Sequence, residues 1–161
     1  MNDTPTPGVG TTQRALQTLC RTELADAHRR WYDRHREALD WGALTLAAQR
    51  GGVAGLVGTN LIALGAPRPV LRDLTCQCLS TEVRNRALLA EAAAACDAGE
   101  RAGVPLLPLK GAALFLEGIY PDPAMRTMID VDLLTPRARV DEACRLLRGR
   151  GFSQASAPQQ R

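Results

Sequence analysis

A chain of 161 residues with 45% hydrophobic side chains and a net charge of +3 is long and apolar enough to bury one good core, so one domain, or a domain plus a helical extension, is expected. Its longest apolar stretches, Ala43 to Ala48 and Val53 to Leu64, are broken by Gln49, Arg50, Gly58, Thr59 and Asn60, short of the roughly 18 to 20 unbroken apolar residues that a membrane span needs. The opening Met1 to Gly8 has neither a basic leader nor an apolar signal core, which argues against secretion and for a cytoplasmic protein.

The first ten residues, with two prolines and two glycines, read as a disordered tail, set here at residues 1–11. From Thr12 the pattern turns helical: Leu16, Leu19, Cys20, Leu24 and Ala27 fall at three- and four-residue spacing, predicting a helix to about Leu39 with room for a break. The basic cluster from His28 to Arg36 is interleaved with Asp33 and flanked by Asp26 and Glu37. It reads as a solvated helix face rather than a nucleic-acid surface. Asp40 stands where an N-cap belongs, before a second helix with Trp41, Leu44, Ala47 and Ala48 on its stripe and a stop at Gly51-Gly52. A third runs from Val53 to about Leu64. Pro67 and Pro69 can open the next helix but not sit inside it. That helix is long, with Leu71, Leu74, Cys78, Leu79, Val83, Leu88, Leu89, Ala92 and Ala95 inward up to Gly99.

After Gly103 the period changes, and a helical region at 12–100 gives way to an α/β region at 101–152. Val104 to Leu109, an apolar run with two prolines, suits a strand near a sheet edge. Ala112 to Glu117 reads as a short helix closed by Gly118. Tyr120 to Arg126 is a loop, because Pro121 and Pro123 stand too close together for regular structure. Ile129 to Leu133 alternates apolar and acidic side chains with period two, as a strand does. A last helix is predicted from Arg137 to Arg148, with Val140, Ala143, Cys144 and Leu147 inward. Phe152 could open another strand before a second tail at 153–161. Five cysteines, an odd number without a Cys-x-x-Cys pair, suit reduced structural thiols, and Cys76 with Cys78 offers only two ligands where a zinc site needs four.

Asp130 and Asp132, at i and i+2, put two carboxylates on one strand face, roughly 6 to 7 Å apart at the backbone. Like charges that close call for a cation, and a hard divalent ion such as Mg²⁺ takes oxygen ligands of this kind while leaving room for phosphates. The competing account is that Lys110 or Arg126 neutralises the pair. Lys110, the only lysine in the chain, is followed by Gly111 at a strand-to-helix corner, where free N–H groups and a point charge can receive an anion and the glycine allows close approach.

The blocks Leu109 to Leu114, Tyr120 to Arg126 and Asp130 to Leu134 together closely resemble the signature of the uncharacterised nucleotidyltransferase family, a branch of the DNA polymerase β-like superfamily. Leu39-Asp40-Trp41, Gly52-Val53 and Asn85 to Leu89 are similar to that family's helical N-terminal region. The resemblance implies an α+β fold, a helical N-terminal region followed by the first part of a mixed sheet flanked by helices. It implies nucleoside triphosphate as substrate, two Mg²⁺ ions held by Asp130 and Asp132 as catalytic and metal residues, and Lys110, Gly111 and Arg126 facing the phosphates. The transferred nucleoside monophosphate would pass to an acceptor hydroxyl on a small molecule or a protein. The superfamily completes its metal site with a third carboxylate on a later strand. Asp141 and Glu142, on the following helix, are poor substitutes, so a truncated and catalytically inactive binding module is the alternative. An incomplete sheet would leave an open edge for a partner, such as a second copy, to cover.

Overall fold

Four short helices, packed around one aromatic anchor, lead into a single long helix on which the rest of the chain is assembled. The computed structural model describes residues 9–153; of the tails expected at 1–11 and 153–161, residues 1–8 and 154–161 lie outside the described residues, while residues 9–11 belong to the first helix. Helix α1 (Val9–Leu19) begins three residues before the predicted Thr12. Its inward face uses Thr11, Thr12 and Thr18 beside Ala15 and Leu19, and polar β-branched residues leave no apolar signal to read. The break allowed before Leu39 falls at residues 20–25, ahead of α2 (Asp26–His35) and a short turn of 3₁₀ helix. Ala27, placed inward by the periodicity, is exposed, and Tyr32 is fully buried instead. Trp41 meets Tyr32 edge to face, 6.4 Å between centroids.

Helix α3 (Trp41–Arg50) starts as its sequence requires: the Asp40 carboxylate accepts from the Ala43 N–H at 2.9 Å. Helix α4 (Ala54–Ala63) carries Asn60, whose Nδ2 donates to Leu19 O and Arg21 O, both at 2.8 Å, closing the open end of α1. Leu19, Tyr32, Leu44, Val57 and Leu61 form the heart of this core, with Leu74 from the next helix.

Helix α5 (Arg68–Arg101) spans 34 residues, about 51 Å, with Pro69 in its first turn. Its buried stripe is Leu74, Cys78, Thr81, Asn85, Ala92, Ala95 and Gly99. The predicted stripe was displaced in the middle: Leu79 and Val83 are exposed, while Thr81 and Asn85 point inward. Gly99 does not end the helix. It lies inside, where a Cβ would stand 2.5 Å from Val104 O as the chain doubles back, and the end comes at Gly103, whose φ of +68° suits the residue after a helix.

The sheet is smaller than predicted. β1 (Leu107–Pro108) pairs antiparallel with β2 (Leu133–Leu134), Leu107 opposite Leu134 and Pro108 opposite Leu133, and Leu109 N extends the ladder to Asp132 O at 2.9 Å. Pro105 and Pro108 have no N–H to give, which limits β1. Ile129 and Val131 lie before the paired residues, Ile129 being 81% exposed and at a bend, so the acidic segment leads into β2 and is not itself strand. Between the strands lie α6 (Lys110–Leu116), which begins two residues earlier than predicted, and a 3₁₀ turn at Pro123–Met125 within the proline loop, capped by the Asp122 carboxylate. Helix α7 (Val140–Gly149) packs on α5 through Ala143, while Val140 and Cys144, predicted inward, are exposed. Phe152 is 44% exposed and opens no strand among the described residues. No helix among them is long and apolar enough to cross a membrane.

Candidate active site

The proline loop is held in place from beneath by two helices. Asn85 of α5, fully buried, donates through Nδ2 to Pro123 O at 2.6 Å and Arg126 O at 2.5 Å, and its Oδ1 accepts from Met128 N at 3.1 Å. From the other side, α4 presents Gly55 against the loop backbone. A Cβ there would collide with Ala124 O and come within 2.7 Å of Met125 O. The loop's main chain is thus hydrogen-bonded to Asn85 at Pro123, Arg126 and Met128 and packed on Gly55 at Ala124 and Met125, ahead of the segment from Asp130 to Asp132.

Lys110 and Gly111 close the site from the start of α6, just after β1. The register set by Leu109 N and Asp132 O brings the Lys110 Nζ to 2.9 Å from Asp132 Oδ2. That hydrogen bond, with the charge of Asp132 and then that of Asp130, raises the lysine above its ordinary pKa. Lys110 adopts φ of +48°, the one non-glycine residue in left-handed backbone among those described. Such backbone is unfavourable for a residue with a Cβ. An ion pair with the lysine side chain 74% exposed returns little, because water screens it and two side chains lose freedom. The strained placement of the lysine is therefore not explained by the salt bridge alone. Gly111 packs on the loop: a Cβ at that position would stand 2.8 Å from Met128 Sδ and 3.6 Å from Arg126 Nε. Its missing side chain thus serves packing of α6 against the loop, besides any approach of a ligand.

Arg126 makes no salt bridge with either aspartate. Its guanidinium lies 5.9 Å from the centre of the Tyr120 ring, and its Nε is buried and meets no hydrogen-bond partner among the described residues. Lys110, not Arg126, neutralises the pair, and only at Asp132. Asp130 is exposed and lines a small cavity of about 340 Å³ with Leu88, Ala92, Val131, Leu133 and Phe152. A more voluminous groove, about 850 Å³, lies behind the hairpin between α5 and residues 103–107 and holds none of these residues.

Asn85 was visible in the sequence only as part of a matching block; its task as the loop's anchor was not read from it. The signal was a polar residue on the three-and-four spacing of a buried stripe, which demands partners wherever it is found. Asp141 is exposed and Glu142 pairs with Arg139 at 3.0 Å, so neither is turned over to the carboxylate pair.

As a cation site, Asp130 and Asp132 offer hard oxygens and nothing more. No group of three or more His, Cys, Asp or Glu that could enclose a metal gathers among the described residues. That donor set fits Mg²⁺, which keeps water and phosphate oxygens in most of its positions, and does not fit a fully protein-enclosed ion. The lysine ammonium against Asp132 already marks the place where positive charge is accepted.

Residues 37–161 match the family described as uncharacterised nucleotidyltransferase. Comparison with curated proteins and with solved structures returned no match.

Proposed function

Because the chain belongs to the uncharacterised nucleotidyltransferase family, we propose that it handles a nucleoside triphosphate at the corner between Lys110-Gly111 and Asp130-Asp132, transferring the nucleoside monophosphate to an acceptor hydroxyl in an Mg²⁺-dependent reaction. The observation that supports this reading is the contact of the sole lysine with Asp132, which sets the expected phosphate-binding residue beside one of the two expected metal ligands. Asp130 and Asp132 would hold Mg²⁺, which supplies charge stabilisation on the transferring group. Lys110 would bind the phosphates as a compact point charge. Arg126, with a buried Nε that has no partner among the described residues and a ring of Tyr120 beside it, is the second cation for the same oxygens. Asn85 and Gly55 would hold the loop that aims it. The acceptor is a small molecule or a protein.

A second reading, a module that binds nucleotide or a partner without catalysis, is favoured by one observation: no third carboxylate joins the pair among the described residues. Calorimetry with ATP and GTP, with and without Mg²⁺, tests both on the wild type and on an Asp130→Asn, Asp132→Asn double variant. Metal-dependent binding that the variant loses supports the nucleotide site. Absence of binding under every condition rejects the enzyme and leaves a binding or interaction module whose partner is not a nucleotide.

A further inference from the structure

We propose that Lys110 is a resident counter-cation for Asp132, displaced when a divalent ion arrives and thereby released toward the phosphates that the ion brings. The proposal rests on the reading of Asp130 and Asp132 as metal ligands, and adds to it that lysine and metal compete for one carboxylate.

Three observations carry it. The Nζ stands 2.9 Å from Asp132 Oδ2, so an ion bound through that carboxylate would lie a few ångströms from the ammonium, and the two would repel each other. The lysine side chain is 74% exposed, so its head can leave for water without losing a buried environment. The backbone at Lys110 is left-handed, where glycine would be unstrained, so the side chain is kept at this position against local preference.

The choice of residue fits the same task. Of the 20 Lys and Arg residues in the chain, 19 are arginine. An arginine here would grip Asp132 through two parallel N–H bonds and resist displacement, whereas an ammonium on four methylenes holds one oxygen and swings. The hydrogen bond from Leu109 N to Asp132 O keeps the lysine's own backbone beside the site when its head moves away. Release is therefore a side-chain rotation, with no rearrangement of the hairpin.

Titration with Mn²⁺ alone, followed by the loss of the free-ion paramagnetic resonance signal and without nucleotide, separates this proposal from the reading beneath it. Lys110→Met removes the charge; Lys110→Gly removes the charge and relaxes the backbone, and so serves if the first variant folds poorly. Both are expected to bind Mn²⁺ on the order of tenfold tighter than the wild type, since a unit charge a few ångströms from the ion is gone, while their binding of Mg²⁺ with ATP weakens. Equal or weaker Mn²⁺ binding in both variants, with binding abolished in Asp132→Asn, overturns the competition and leaves the metal site standing. Unchanged Mn²⁺ binding in Asp132→Asn, or none in any of the four proteins, overturns both.

Discussion

Replacing Asn85 by alanine tests whether the loop that leads into the carboxylate segment is held from α5. Three bonds disappear together. Met128 N is left without its acceptor at a buried site, which costs up to about 3 kcal/mol, while Pro123 O and Arg126 O are partly buried and can take up water, about 1 kcal/mol each. Allowing for relaxation, the loss is roughly 3 to 5 kcal/mol, a large share of the 5 to 15 kcal/mol typical of a domain. At about 2 to 4 °C per kcal/mol for a chain of this size, the unfolding midpoint should fall by roughly 6 to 20 °C, measured by circular dichroism at 222 nm. Asn85→Asp is the sharper probe. Its carboxylate still accepts from Met128 N but faces two carbonyl oxygens, so at neutral pH it should be at least as damaging. Its gap to the wild type should narrow as the pH falls and the new acid is protonated. A midpoint lowered by less than about 2 °C in Asn85→Ala would refute the idea that this side chain anchors the loop.

Gly55→Ala should destabilise by about 1 to 3 kcal/mol, because the added Cβ meets main-chain atoms of Ala124 and Met125 that cannot turn aside, whereas Gly42→Ala, exposed in α3 with only Asp40 Oδ1 nearby at 3.5 Å, should stabilise by about 0.5 to 1 kcal/mol; urea titration of the two variants decides, and equal effects would contradict the packing described. Among the cysteines, Cys76 and Cys144 are exposed and should react first with maleimide in the native protein, with Cys78 last, as mass spectrometry of partly labelled chain would show. Burial raises the Cys78 thiol above its ordinary pKa, so above pH 9.0 the unfolded chain sheds a proton that the folded one keeps; stability should be level below that pH and decline above it.

The helices were legible because their signals are local: Asp40 as a cap, Pro69 in a first turn, and apolar stripes at three- and four-residue spacing. The misplaced stripe of α5 has one cause. Where its buried face used a polar residue, at Thr81 and Asn85, a reading that counts apolar side chains slid to the neighbouring face, and Leu79 and Val83 were placed inside. The strand at the carboxylates was over-extended for a different reason. Alternation along Ile129 to Leu133 describes which way side chains alternate in any extended segment, but a strand exists only where a partner supplies N–H and C=O groups, and β1 with its prolines supplies few. The family resemblance pointed to Lys110 and Asp132 among its residues, and the structure brings these two into contact. It could not show which of two cations sits on which carboxylate, because that depends on the register of two short strands and on the φ angle of one residue.

A two-stranded ribbon of this length has little stability of its own, so the placement of Asp132 relative to Lys110 must be borrowed from elsewhere. The source is α5. Its Gly99 lets the chain return closely enough for Val104 O and the Leu106 side chain to lie against it just before β1, and Arg139 Nη2, donating to Gly103 O at 2.5 Å, ties the start of α7 to the same corner. Half-way along the same helix, Asn85 fixes the loop from Pro123 to Met128, which is the other approach to β2. Both ends of the carboxylate segment are thus referenced to one rigid rod, with about 21 Å of helix between Asn85 and Gly99. Changes that bend or shorten α5 between those positions should therefore disturb the lysine–aspartate contact more than equal changes at the exposed Leu116 end of α6, even though α6 contains the lysine.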